Sequence, residues 1–162
     1  MRTPIALILA LSTTLAACGG SDPKAAADEA FQSGDYATAV TSFDAAMAAV
    51  DKSSPEYLGL AIDRCRALAH TDAASAKDSM IALAKAPESK VKSSDYRLVA
   101  GEMFDAKEFS PAISLLDDGI KGRFSDDPKL LAMINKIKTE AEKSGDSETM
   151  SALQGLGYAG GD

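Results

Sequence analysis

The sequence predicts an all-α protein built from about four helix–turn–helix pairs. Three observations carry this reading. Four prolines each follow an Asp or a Ser: Asp22-Pro23, Ser54-Pro55, Ser110-Pro111 and Asp127-Pro128. That dipeptide starts helices, because the cap oxygen accepts a free backbone N–H and proline has none to leave unpaired. Between these starts the apolar residues recur at the spacing of one helix face, and no long run alternates strictly as a strand would. Finally, four short turns with an acidic middle residue recur along the chain: Gly34-Asp35-Tyr36, Thr71-Asp72-Ala73, Lys107-Glu108-Phe109 and Gly145-Asp146-Ser147.

The first predicted helix spans 23–33, from Pro23 to the Ser33-Gly34 turn. The second spans 36–50, with Ala39, Phe43, Ala46, Met47 and Val50 along one stripe. The third, 55–69, opens at Ser54-Pro55 and carries Tyr57, Leu60, Ala61 and the stem of Arg64. The fourth, 73–85, follows Asp72 and ends before a loop, Lys85 to Lys92, that contains Pro87. Then come 94–106 and 110–121, the latter read as starting at the Ser110 cap. A seventh helix, 128–143, shows Leu130, Leu131, Ile134 and Ile137 at helical spacing. The eighth is 147–155, and the Gly-rich end after Tyr158 is expected to fray.

The acidic turns are 37, 36 and 38 residues apart. After the first three, apolar or small residues stand at constant offsets: Ala39, Phe43 and Ala46; Ala76, Met80 and Leu83; Ala112, Leu116 and Gly119. Positions i, i+4 and i+7 share a helix face. Small residues precede the turns as well: Ala27 and Ala30, Ala67, and Ala100. Small side chains where helices cross let the axes approach.

This pattern resembles the tetratricopeptide repeat, a helix–turn–helix unit of about 34 residues. Ser33 to Ala46 is a good match to its turn and second helix. The third unit carries Lys107 where Gly is usual. The second has Ala73 where an aromatic is usual, and the fourth places Met150 and Gln154 at its small and large apolar positions. A degenerate last unit is what a polar capping repeat would look like. The resemblance implies an α-solenoid whose first helices line a groove, here including Phe31, Leu68, Arg97, Phe104 and Asn135.

The first residues carry a different signal. One charge, Arg2, precedes an apolar stretch from Pro4 that continues to Ala17. It is shorter than the roughly 20 residues of a membrane span and fits a cleavable export signal. Leu15-Ala16-Ala17-Cys18 resembles the lipobox of bacterial lipoproteins. The resemblance implies cleavage before Cys18, lipid on its thiol, and an anchor made of several chains, which is what stable attachment requires. Gly19 after the cysteine implies the outer membrane, facing the periplasm. The expected organisation is therefore a signal peptide (1–17), a lipidated Cys18 with a tether (18–22), a repeat domain (23–158) and a tail (159–162).

Composition narrows the function. Without Arg2, 16 Lys plus Arg face 24 Asp plus Glu, a net charge of −8 for residues 18–162. That argues against nucleic acid, which wants a basic face. With Cys18 lipidated, Cys65 is the one remaining thiol, so no internal disulfide can form; its apolar neighbours suit a buried small hydrophobe. His70 is the only histidine and is expected to sit at a helix end. Asp117-Asp118 and Asp126-Asp127 are adjacent carboxylates, which do not face each other on a helix. No phosphate-binding Gly loop is present, and no metal or cofactor is implied. The expected function is therefore a non-enzymatic, membrane-anchored adaptor for an envelope protein or peptide. The alternative is a small-ligand-binding lipoprotein with a pocket between helices.

Overall fold

The computed structural model describes residues 22–159. The expected signal segment, its lipobox residues Leu15, Ala16 and Ala17, Cys18 and the end of the tail lie outside them. The described residues form eight helices and no strand: α1 (Pro23–Gln32), α2 (Tyr36–Ala48), α3 (Pro55–Leu68), α4 (Ala73–Lys85), α5 (Ser93–Asp105), α6 (Phe109–Lys121), α7 (Pro128–Ser144) and α8 (Ser147–Leu156).

The acidic turn residues have a common physical role, because Asp35, Asp72, Glu108 and Asp146 are the N-caps of α2, α4, α6 and α8. The three aspartates accept the backbone N–H of Thr38, Ser75 and Thr149 at 3.0–3.2 Å. Glu108, one methylene longer, makes no such bond. Before the cap the chain turns through the left-handed region at Gly34 and Gly145, and also at Lys107, with φ +64°. A side chain is tolerated there at a cost that glycine avoids.

Asp22, Ser54 and Asp127 cap α1, α3 and α7 as their Pro partners require. Ser110 does not cap α6. That helix starts one residue earlier, and Ser110 instead offers its carbonyl to the Ser114 hydroxyl at 3.0 Å. Glu108 takes the cap position because the repeating turn, rather than the Ser-Pro pair, sets the entry.

Each helix packs on the next, and from α3 onward each also packs on the next but one. The result is an α-solenoid-like stack with an odd-numbered and an even-numbered layer. α6 lies at its centre, with Phe109, Ala112, Ile113, Leu115, Leu116, Asp117 and Gly119 all buried. At Gly119 the layers close tightly: a Cβ built there would stand 3.0 Å from the Tyr96 ring and 3.3 Å from a Leu130 methyl.

The apolar interior falls into two clusters. One runs from α3 to α8 and holds the large side chains, Met80, Tyr96, Met103, Leu116, Leu130 and Ile134 among them. The other joins α1 and α2 to α3 through Ala27, Ala30, Ala39, Ala46 and Ala67 around Phe43 and Leu60. Alanines allow close approach but remove little apolar area from water, and burial energy scales with that area. Leu131, read as part of the core stripe of α7, is instead 45% exposed. Leu130, Ile134 and Ile137 already fill that face, and the neighbouring position rotates outward.

Candidate functional site

The odd-numbered layer divides into two halves of different character. In the first half, α1, α3 and α5 bring together a closed network. Arg66 on α3 donates from Nε and Nη2 to Glu102 Oε1 on α5, at 3.0 and 2.7 Å, and from Nη1 to Asp63 at 3.0 Å. His70, just past the end of α3, meets the other Glu102 oxygen at 3.0 Å. A carboxylate only accepts, so this imidazole nitrogen carries the proton. The His70 ring stacks on Tyr36 with centroids 3.8 Å apart, and Phe31 meets both rings edge-on. The Arg66 guanidinium lies 4.8 Å over Phe31.

Burial works against the charge of Arg66, but its bonds to Glu102 and Asp63 outweigh that and hold its pKa above the ordinary value. Every nitrogen of that guanidinium and both oxygens of Glu102 have partners inside the protein. Chemically this is a clasp that ties the first hairpin to α3 and α5. Sequence reasoning placed Phe31 here and missed the rest, because the partners of His70 are 32 and 34 positions away and nothing local marks them.

The second half, on α5 and α7, is not closed. The Arg97 Nε is buried without a hydrogen-bond partner. Leu98, its neighbour, is 49% exposed, and with Leu131 on α7 it makes up the exposed large hydrophobics among the described residues. Phe104 is half-buried against Phe109, with the Lys136 ammonium 4.2 Å over its ring. Asn135 is exposed on α7. At the start of these helices the Ser93 hydroxyl donates to Asp127, the cap of α7. That bond first, and the Lys129 N–H second, hold the Asp127 carboxyl below the ordinary range.

One expectation is corrected here. Leu68 does not line the groove; it is 9% exposed and belongs to the large core, because α3 turns its Asp63 and Arg66 toward the odd-numbered face instead. The cations over the aromatics of this layer are Arg66, on Phe31, and Lys136, on Phe104.

The other titratable candidates have structural roles. Asp118 accepts the buried Tyr96 hydroxyl at 3.0 Å and the Lys85 ammonium at 2.9 Å. Asp117 accepts the Tyr158 hydroxyl at 2.9 Å, which pins the chain just past α8, and forms an ion pair with Lys121 at 3.0 Å. Burial, and then these bonds to carboxylates, push both tyrosines up, Tyr158 to about 12. Burial likewise pushes the Cys65 thiol up to about 12, so it is a poor nucleophile. Among the described residues no group of three His, Cys, Asp or Glu is placed to hold a metal. Among them too, no helix is long and apolar enough to cross a membrane.

Comparison of the chain with protein-family models, with curated proteins and with solved structures finds no match. The functional reading therefore rests on the residues themselves.

Proposed function

We propose that this chain is a non-enzymatic lipoprotein of the bacterial cell envelope, anchored through lipid on Cys18. In this reading its tetratricopeptide-like pairs present the α5–α7 half of the odd-numbered face to a protein or peptide partner. The lipobox-like Leu15-Ala16-Ala17-Cys18 supports the anchor, and Gly19 supports the outer membrane facing the periplasm. The repeating cap and turn, together with the layered packing, support the repeat assignment.

One observation carries the binding role. Buried polar groups in folded proteins are almost always paired, and an orphan calls for an explanation. Arg97 Nε is such an orphan, and it sits beside an exposed leucine on a helix next to the one that exposes the other. Arg and aromatic anchors dominate the energetics of interfaces. A partner carboxylate on the terminal guanidinium nitrogens of Arg97, which unlike Nε are not buried, with apolar side chains over Leu98 and Phe104, would complete the face. The clasp around Arg66 needs nothing further and serves to hold the first pair in place.

The test has two arms. Crosslinking in the native cell followed by mass spectrometry identifies the partner. Arg97→Glu and Phe104→Ala then weaken its capture by purified protein while helicity and membrane attachment stay normal. Equal capture by both variants removes this face from the reading. Retention of Cys18→Ser in the membrane fraction with unchanged mobility removes the lipid anchor.

A further inference from the structure

Consecutive helices pack along each other and are joined by only two to seven residues, so each runs opposite to the last and the connections fall on two edges of the stack. The short turns after α1, α3, α5 and α7 share one edge, where Tyr36 stacks on His70 across the first two of them. The longer loops after α2, α4 and α6 share the other. There residues 52–55 and 86–90 line one cleft, and Ser93 at the start of α5 donates to Asp127 at the start of α7. Asp22, where α1 begins, lies on this loop edge too.

The two edges differ in charge. The loops, 49–54, 86–92 and 122–127, carry Lys52, Lys90, Lys92 and Arg123 against Asp51, Glu88, Asp126 and Asp127, and have no net charge. The turns, 33–35, 69–72, 106–108 and 145–146, carry Lys107 against Asp35, Asp72, Glu108 and Asp146, a formal net charge of −3. The repeat itself makes this asymmetry. It sets one acidic cap at each turn, and every second connection is such a turn.

Chain length and charge together then select one orientation at a membrane. Only residues 18–21 separate Asp22 from a lipid on Cys18, and four residues reach at most about 14 Å at roughly 3.5 Å each. The anchor therefore keeps the loop edge close to the bilayer. If the stack lay on either layer, the acidic turns would meet the headgroups as well. Near an anionic surface each elementary charge shifts the population roughly fivefold, so three disfavour that pose roughly a hundredfold. If the stack stands on its loops, the turns lie one helix length away, about 20 Å for the 14 residues of α3. That is more than twice the screening length of about 8 Å in physiological salt.

We propose that the loop edge is a membrane-contact surface: the chain stands on it against an anionic phospholipid bilayer, with the acidic turns pointing away. This rests on the lipid anchor at Cys18 proposed above. It also sets the partner-binding face upright, with Arg97, near the start of α5, at the bilayer end and Phe104 at the far end.

The test places the processed, lipidated chain in vesicles of phosphatidylethanolamine and phosphatidylglycerol, three to one, and labels single cysteines with a fluorophore. Ser53→Cys and Ser125→Cys mark the loop edge, and Thr71→Cys and Ser147→Cys the turn edge; all four positions are exposed and none changes the charge. The buried Cys65 takes little label. Circular dichroism verifies that each variant is folded. Phospholipid spin-labelled at the headgroup quenches the loop-edge probes about threefold or more over the turn-edge probes, which stand beyond the screening length. In vesicles of phosphatidylcholine alone, where the surface charge is gone, the contrast falls by about half or more. Equal quenching at the two edges, or a contrast unchanged without anionic lipid, overturns the inference. Failure of the processed chain to float with vesicles is a different result, and removes the lipid anchor itself.

Discussion

Replacing glycine with alanine is expected to change stability with opposite sign at different helices of this protein. In a helix interior the added methyl group removes chain entropy from the unfolded state and stabilises by about 0.5–1 kcal/mol where it fits. At Gly59 on α3 and Gly101 on α5 a built Cβ meets nothing within 4 Å, so both substitutions should realise that gain. At Gly119 on α6 the same Cβ stands 3.0 and 3.2 Å from two carbons of the Tyr96 ring and 3.3 Å from Leu130. Carbon contacts are optimal at about 3.5–4.0 Å, so the ring must retreat by roughly half an ångström.

The ring has little room to do so. Tyr96 is 2% exposed, its hydroxyl is held by Asp118 at 3.0 Å, and its edge rests on Phe124 with centroids 5.4 Å apart. Overpacking of this kind costs about 1–3 kcal/mol. Less the intrinsic gain, Gly119→Ala should lose about 1–2 kcal/mol, and the contrast with Gly101→Ala should approach 2–3 kcal/mol. Urea unfolding followed by circular dichroism resolves that difference as opposite shifts of the midpoint at unchanged slope. A Gly119→Ala variant as stable as Gly101→Ala would mean that α6 does not approach α5 and α7 as described.

Further outcomes follow from the same packing. Ala39 and Ala112 are fully buried where the helices of a pair cross, so Leu at either should cost about 1–3 kcal/mol in denaturant melts; no loss in both variants would count against paired-helix packing. The first hairpin is held by an alanine-rich cluster and the clasp, so amides of α1 and α2 should exchange with deuterium well before those of α6. Equal protection of α6 and α1 would refute this. Bonds from Ser75, Ser93 and Thr149 hold the Asp72, Asp127 and Asp146 carboxyls below their ordinary 3.8. A lowered folded pKa stabilises fully above the unfolded value and is lost as pH falls through the folded one. Thermal melts should therefore fall off from about pH 4 downward, and Asn at the three caps should flatten that slope. A slope unchanged by the three substitutions would show that the caps do not carry it.

The helix boundaries were legible in the sequence to within two residues at every end, because they are set by local chemistry. Asp35, Asp72 and Asp146 bond to N–H groups only three positions away, and Pro23, Pro55 and Pro128 act on their own backbone. The inward faces of the pairs were legible for the same reason, since Ala39, Phe43 and Ala46, or Ala112, Leu116 and Gly119, share a face through helical geometry alone. Of the expected lining residues, Phe31 and Phe104 lie half-buried on the odd-numbered layer and Asn135 lies exposed there.

What the sequence determined by itself is thus the set of helices, most of their caps and the main stripe each turns inward, all decided by interactions within about one turn of chain. Which side chains meet across helices was decided only by the tertiary structure. Small rotations of a helix about its axis exchange neighbouring positions between core and surface, and the periodicity is too coarse to fix them. That is why Leu68 went inward while Arg66 and His70 reached Glu102, why Leu131 turned outward, and why Arg97 was left with a buried nitrogen and no partner. The gap between α2 and α4 has the same origin. It depends on how one helix pair sits against the next, which no local run of sequence encodes.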